Sequence, residues 1–367
     1  MIVDIHCHYT FARRLASGDE RFSFEPLAES GAPALDSCVS PRCLRRPAWR
    51  IARRWLGLSG TASGGALDAA LERFYERHLT ADGPVQRIVL LAFDRYHDDG
   101  GRPTRWPTSS RQRGSDIYTS NSLIAQTCRR HPGRFLFGAS VHPYRADAVA
   151  CVEEVFAGGA CLLKWIPLHQ NIAPHDPRTR AVMRRCAELG LPLLVHCGAE
   201  FTLATQHPAY RPAAPWLAAL AQLRREGTMP ITIIAHVATP PTPLGGRGSH
   251  QLLLDALLGD FADAPLFADV SALTSWGKVG FLRALARRQD LHGKLLFGSD
   301  FPVPLGWPRL RGDLKAERDR IRALSSWIQQ AAEVFRQTGY NEIVLHRAAT
   351  LLPNVDSFAP PEPARSA

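Results

Sequence analysis

Eight short apolar runs, rich in β-branched and aromatic residues, recur along the chain: Ile2 to Ile5, Arg87 to Phe93, Arg134 to Ser140, Cys161 to Ile166, Pro192 to Val195, Ile231 to Ala235, Leu266 to Val270 and Leu295 to Phe297. Most are continuous rather than alternating, the pattern of parallel strands covered on both faces. Between them, apolar positions return with helical spacing. Leu123, Ile124, Thr127 and Cys128 follow the candidate N-cap Ser120, and Val149, Val152, Val155 and Phe156 repeat the arrangement. Val182, Met183, Cys186 and Leu189, then Leu252, Leu253, Ala256 and Leu257, then Val279, Leu282 and Leu285 do the same after later strands. Eight β/α repeats predict an α/β fold of the TIM-type (β/α)8 barrel class, as one domain over residues 1–352.

Two segments depart from the repeat. Residues 9–86 form a helical insertion between the first two strands, with an amphipathic helix marked by Leu71, Phe74, Tyr75 and His78. An insertion after a strand's C-terminal end sits over the barrel mouth, where it can serve as a lid or as the contact of a homodimer. Residues 353–367, rich in Pro and Ala, read as a loose tail. The Pro/Gly-rich stretch Thr239 to Gly248 suits a mobile flap.

Composition narrows the function classes. Apolar residues make up 45% of 367, enough for a large core, and no run reaches the eighteen or so apolar residues of a membrane span. The opening MIVDIHCHYT reads as a buried strand rather than a secretory leader, and eight cysteines without a CxxC pair read as reduced thiols, so a cytoplasmic protein is expected. The net charge of +10 raises the question of nucleic acid. It is built from 40 Arg and 4 Lys spread along the chain, without interleaved aromatics or a helix-turn-helix signature, which argues against it. The densest run, Arg42 to Arg54, reads instead as a solvated face that attracts acids, tilting the expected small-molecule substrate towards an anion.

Candidate chemistry gathers where strands end. His6 and His8 stand two apart on the first strand, so both imidazoles point to one side and can share a cation. His196 ends strand five, His236 strand six and Asp300 strand eight. Unpaired at the inner rim, these groups would carry a desolvation penalty that a shared divalent cation removes. Lys164 lies inside an apolar strand in a chain that otherwise prefers Arg. Only Lys can lose its proton and take up CO2 as a bridging carbamate; ion pairing with Asp300 or a substrate carboxylate is the alternative. His142 ends strand three, either contacting substrate or packed and hydrogen-bonded, and Trp165, Trp276 and Trp307 either wall a pocket or pack beneath loops, with Trp276 a candidate substrate contact. His169 and His175 read as solvated loop residues.

The order HxH, Lys, His, His, Asp on strands one, four, five, six and eight resembles the amidohydrolase superfamily of metal-dependent barrels. Within it, the segments HPGRFLFGASVHPYRADA, LLKWIPLHQNIAPHDPR, ELGLPLLVHCGAE and LLFGSDFP are similar to the amidohydrolase-related group that also includes aminocarboxymuconate-semialdehyde decarboxylase. The resemblance implies that His6, His8 and Asp300 hold one metal, His196 and His236 a second, and a carboxylated Lys164 bridges them. It implies hydrolysis of an amide, lactone or ester bond with one or two divalent ions, zinc by the donor set, and with Asp300 as general acid/base and His236 assisting. A single-metal decarboxylase or lyase and a non-catalytic binding barrel remain as alternatives.

Overall fold

Each of the eight apolar runs forms a strand, and three further short strands lie in the loops. The computed structural model describes residues 1–16, 34–58, 65–104, 106–242, 244–314 and 316–359. In chain order the strands are β1 (Ile2–His8), β2 (Arg13–Leu15), β3 (Leu35–Val39), β4 (Val85–Leu91), β5 (Ile117–Thr119), β6 (Phe135–Ala139), β7 (Ala160–Trp165), β8 (Leu193–Val195), β9 (Thr232–Ile234), β10 (Leu266–Asp269) and β11 (Leu295–Leu296). The large sheet runs β1-β4-β6-β7-β8-β9-β10-β11, each neighbour parallel. The backbone just past β11 returns to β1: Ile5 N donates to Phe297 O, Asp300 N to His6 O at 2.9 Å and His8 N to Phe301 O at 2.8 Å. The result is the expected TIM-type barrel.

Side-chain alternation divides the strands between two cores. Val3, Ile5, Val89, Leu91, Leu136, Leu162, Leu194, Ile233 and Leu296 fill the interior, with Ala348 and Leu352 among them from the C-terminal helices. The intervening positions pack outward on the helices. Lys164 and His196, two residues past the inward Leu162 and Leu194, therefore point inward too. In β1 a register irregularity between Asp4 and Cys7 shifts the parity, so that His6 and His8 join the inner side while Cys7 joins the outer core.

Helix signals hold in detail with small rotations. Ser120 caps the helix Asn121–Arg130 by accepting from Leu123 N. Val149 and Leu252 are exposed, and Ala148 and Leu254 take the inward positions expected for them. In the insertion, Gly65–Leu79 is the expected amphipathic helix, and Phe74 stacks on Phe301 at 5.4 Å and 8°. Here β2 and β3 pair with β5 as an antiparallel sheet, so the insertion is not purely helical. Part of the Arg-rich run is not solvated: Arg42 is buried, its Nε 2.8 Å from the fully buried Asp116 carboxylate.

The segment after residue 352 departs from expectation as far as it is described. Asn354 Nδ2 donates to Phe156 O and Ala160 O, Gly133 N donates to Phe358 O, and Arg87 pairs with Asp356. Satisfying these backbone carbonyls ties residues 353–359 to the barrel; residues 360–367 lie outside the described chain. No helix among the described residues is long and apolar enough to cross a membrane.

Candidate active site

Six of the residues singled out at strand ends converge on one point at the C-terminal rim. His8 Nε2 lies 3.0 Å from Asp300 Oδ1, and His6 Nε2 lies 3.4 Å from the same oxygen. His236 Nε2 faces Asp300 Oδ2 at 3.9 Å, and its ring stacks on His6 at 5.0 Å and 21°. His196 stands edge-on to His236, centroids 5.2 Å apart. Lys164, fully buried, places Nζ 3.2 Å from His6 Nε2.

The backbone at two of these residues is unusual. His236, Val237 and Ala238 take successive positive φ angles of 54°, 49° and 49°, and Asp300 has φ 61°. Non-glycine residues there are strained, and such strain clusters at functional sites, where it aims side chains.

Asp269, at the end of β10, fixes the imidazoles from behind. Its Oδ2 accepts from His6 Nδ1 at 2.8 Å, and its Oδ1 accepts from His236 N at 2.8 Å and Ser271 N at 3.0 Å. Ser271 Oγ donates to Asp269 Oδ1 and sits 2.7 Å from His236 Nδ1. Since the Ser271 proton is spent on the carboxylate, its oxygen accepts from His236 Nδ1–H. The network thus puts the proton on Nδ1 of both rings and leaves each Nε2 lone pair facing the rim. Burial, first of all, holds both imidazoles well below their ordinary pKa, so they are neutral.

These residues fit a divalent cation. His6, His8 and Asp300 offer donor atoms close enough to share an ion. His196 Nε2 is buried with no hydrogen-bond partner among the described residues, its nearest acid being Glu200 Oε2 at 3.7 Å. An imidazole nitrogen sealed from water without a partner costs free energy that a cation recovers. His6, His236 and Asp269 also lie within reach of one another. The Nδ1 atoms on that side are already committed to Asp269 and Ser271, so this group orients ligands.

Other sequence-derived candidates lie elsewhere. His142 is fully buried with both ring nitrogens engaged: Tyr144 N donates to Nδ1 at 3.0 Å and Nε2 contacts Gln170 O at 2.7 Å. Neither nitrogen is free for a substrate, which corrects the substrate-contact expectation in favour of the packed histidine. Trp276 is 60% exposed beneath the Arg309 guanidinium. Trp165 is buried, its indole N–H on Val141 O. His175 is exposed as expected. His169 is instead buried, accepting from Asp116 N at 3.0 Å.

Sequence reasoning passed over three buried charges here, Asp4, Asp269 and Lys278, and the partly buried Glu200. Asp4 accepts from His6 N and Ser299 N beneath the histidines, and burial raises its carboxyl to about 6. Glu200 is held on Thr202 N and Oγ1 at 2.7 Å, and although burial opposes its charge, His196 and these donors keep it below the usual carboxylate range. The signal for Asp4 and Asp269 was the one used for Lys164, a charge within an apolar strand.

An amidohydrolase family profile matches residues 3–325. No curated protein matches the sequence. Among solved structures, an uncharacterised TIM-barrel protein from Bordetella bronchiseptica aligns over 95% of this chain and 96% of its own with TM-score 0.54 and 16% identity. A probable 2-pyrone-4,6-dicarboxylic acid hydrolase from Acinetobacter baumannii aligns over 96% and 98% with TM-score 0.46 and 13% identity. A 5-carboxyvanillate decarboxylase from Sphingomonas paucimobilis aligns over 91% and 98% with TM-score 0.45 and 14% identity. The first supports the barrel fold alone.

Proposed function

The chain belongs to the amidohydrolase family, and from that premise we propose that it is a metal-dependent hydrolase opening an amide, lactone or ester bond of a small anionic substrate. His6, His8 and Asp300, with His196 and His236, are the residues that would hold one or two divalent ions. A donor set of imidazole and carboxylate without thiolate suits zinc. A cation there supplies Lewis-acid polarisation of the scissile carbonyl and brings the pKa of water to about 7.

The observation that carries the reading is Lys164. Its ammonium lies against the His6 Nε2 lone pair, which it cannot share with a cation. Holding an ion at that nitrogen therefore calls for a neutral, displaced or carboxylated lysine. Burial brings the Lys164 amine down to about 8, so a neutral fraction able to take up CO2 exists near physiological pH. A carbamate at this position would serve two cations, the hydrolytic arrangement. Asp300, between His8 and His236, is suited to take the proton of the attacking water and deliver it to the leaving group. His236, with Nε2 unprotonated, is suited to hold a cation or accept a proton.

A second reading is a single-cation decarboxylase. It is favoured by His6, His8 and Asp300 offering three donor atoms within reach of one ion. Elemental analysis with intact mass decides between them: about two equivalents of metal and a 44 Da addition lost on acidification support the hydrolase, and one equivalent with an unmodified Lys164 supports the lyase. The eight buried cysteines, none of them in a disulfide among the described residues, fit a reducing, cytoplasmic location.

A further inference from the structure

Lys278, in the loop between β10 and the helix Val279–Ala286, is 7% exposed. It is one of only four lysines in a chain with 40 arginines. Among the described residues no carboxylate lies within ion-pair distance of its amine, and no hydrogen bond satisfies it. Its charge nevertheless acts on Asp300, Glu200 and Asp269, and on His236, His196 and His6 from the opposite sense. The loop that carries it leaves β10 directly after Asp269 and Ser271 and is tied by Ala272 N to Ser299 O, next to Asp300, so Lys278 stands at the same rim as the convergent imidazoles without a direct partner. The nearby carboxylates are occupied: Asp300 by His8, Asp269 by His6, His236 N and Ser271, Glu200 by Thr202.

A buried ammonium without an anion is costly, and a fold that keeps one is organised for an anion that arrives from outside. Resting on the metal-dependent reading above, we infer that Lys278 binds a carboxylate of the substrate beside the metal centre and so selects carboxylated substrates over neutral ones. A lysine acts here as a compact point charge on a flexible stem, without the fixed fork of a guanidinium. The anion it takes is a carboxylate attached to the molecule whose reacting carbon faces Asp300.

The test is calorimetric titration of the zinc-loaded full chain with acetate, malonate, citrate and benzoate, and with dimethyl malonate as the uncharged counterpart. Lys278→Met should retain its zinc and bind the best of the four carboxylates at least tenfold more weakly than the wild type, with no change towards dimethyl malonate. Lys278→Arg should recover part of the loss. Carboxylate binding unchanged in Lys278→Met, or none of the four carboxylates binding the wild type, overturns the inference while leaving the metal reading intact. Failure of the wild-type chain to take up zinc overturns the metal reading instead. Should Lys278→Met not fold, Lys278→Gln and the carboxylate-induced melting shift of the wild type give the same decision.

Discussion

Replacing Asp269 with Asn tests how the site prepares its ligands. The carboxylate accepts four hydrogen bonds, from His6 Nδ1, His236 N, Ser271 N and Ser271 Oγ. In the Asn variant the amide oxygen can keep the three donors on the Oδ1 side, which leaves the NH2 group facing His6 Nδ1. That nitrogen must then accept, its proton moves to Nε2, and the lone pair offered to a cation disappears. Side chains that orient a ligating histidine in this way are worth about 10- to 100-fold in metal affinity, or about 1.4–2.7 kcal/mol. The volume is unchanged, so the fold should persist. Competition for zinc against a chromophoric chelator, with circular dichroism as the control for folding, reads the effect. Zinc affinity within twofold of wild type in a folded Asp269→Asn protein would refute the assignment of the tautomer and of the residue's role.

Asp300→Asn should lower turnover by orders of magnitude while most of the metal stays bound, measured by kinetics and elemental analysis on one sample; retained activity removes Asp300 from the chemistry. Lys164→Met should reduce metal content from about two equivalents to one if a carbamate bridges the ions, and unchanged content excludes the bridge. Stability of the metal-free chain should fall as pH drops from about 6.5 to 4. His78 and His196 are held down to about 4, chiefly by burial, so the unfolded chain binds more protons in that window. The cost is on the order of 3 kcal/mol for each histidine shifted that far, and the Asp4 carboxyl, raised to about 6, offsets about one of them; urea midpoints independent of pH there would contradict it. Phe74→Ala, which removes a ring stacked on Phe301 and set edge-on to Trp327, should cost roughly 3–5 kcal/mol in chemical denaturation. A loss below 1 kcal/mol would mean that the insertion helix is not anchored there.

The barrel was legible because parallel strands must be apolar on both faces, so their runs stand out from amphipathic helices without knowledge of partners. Lys164 and the histidines were legible for the same reason, as polar groups at places where apolar ones are expected. Strands β2, β3 and β5 were not: three to five residues long, they acquire meaning only by pairing across about 20 positions of chain for β2 with β3 and about 80 for β3 with β5. Glu200 and Lys278 lie in loops, where a charge is ordinary, and nothing local marks that the fold buries Lys278 or brings Glu200 to 3.7 Å from His196. His169 misled in the same way, since its partner Asp116 N comes from a different loop. His142 sits where a rim residue should, but Gln170 O and Tyr144 N reach its nitrogens first. Residues 353–359 looked unattached because their partners are carbonyls and amides of distant helices and strands, which leave no trace in side-chain composition.

Anomalous diffraction at the zinc edge from crystals of the metal-loaded chain tests the central claim most directly. The account predicts a peak bounded by His6 Nε2, His8 and Asp300, with any second peak beside His196 and His236 and added density on the Lys164 amine. A loaded crystal whose only zinc peaks lie away from these side chains would contradict it.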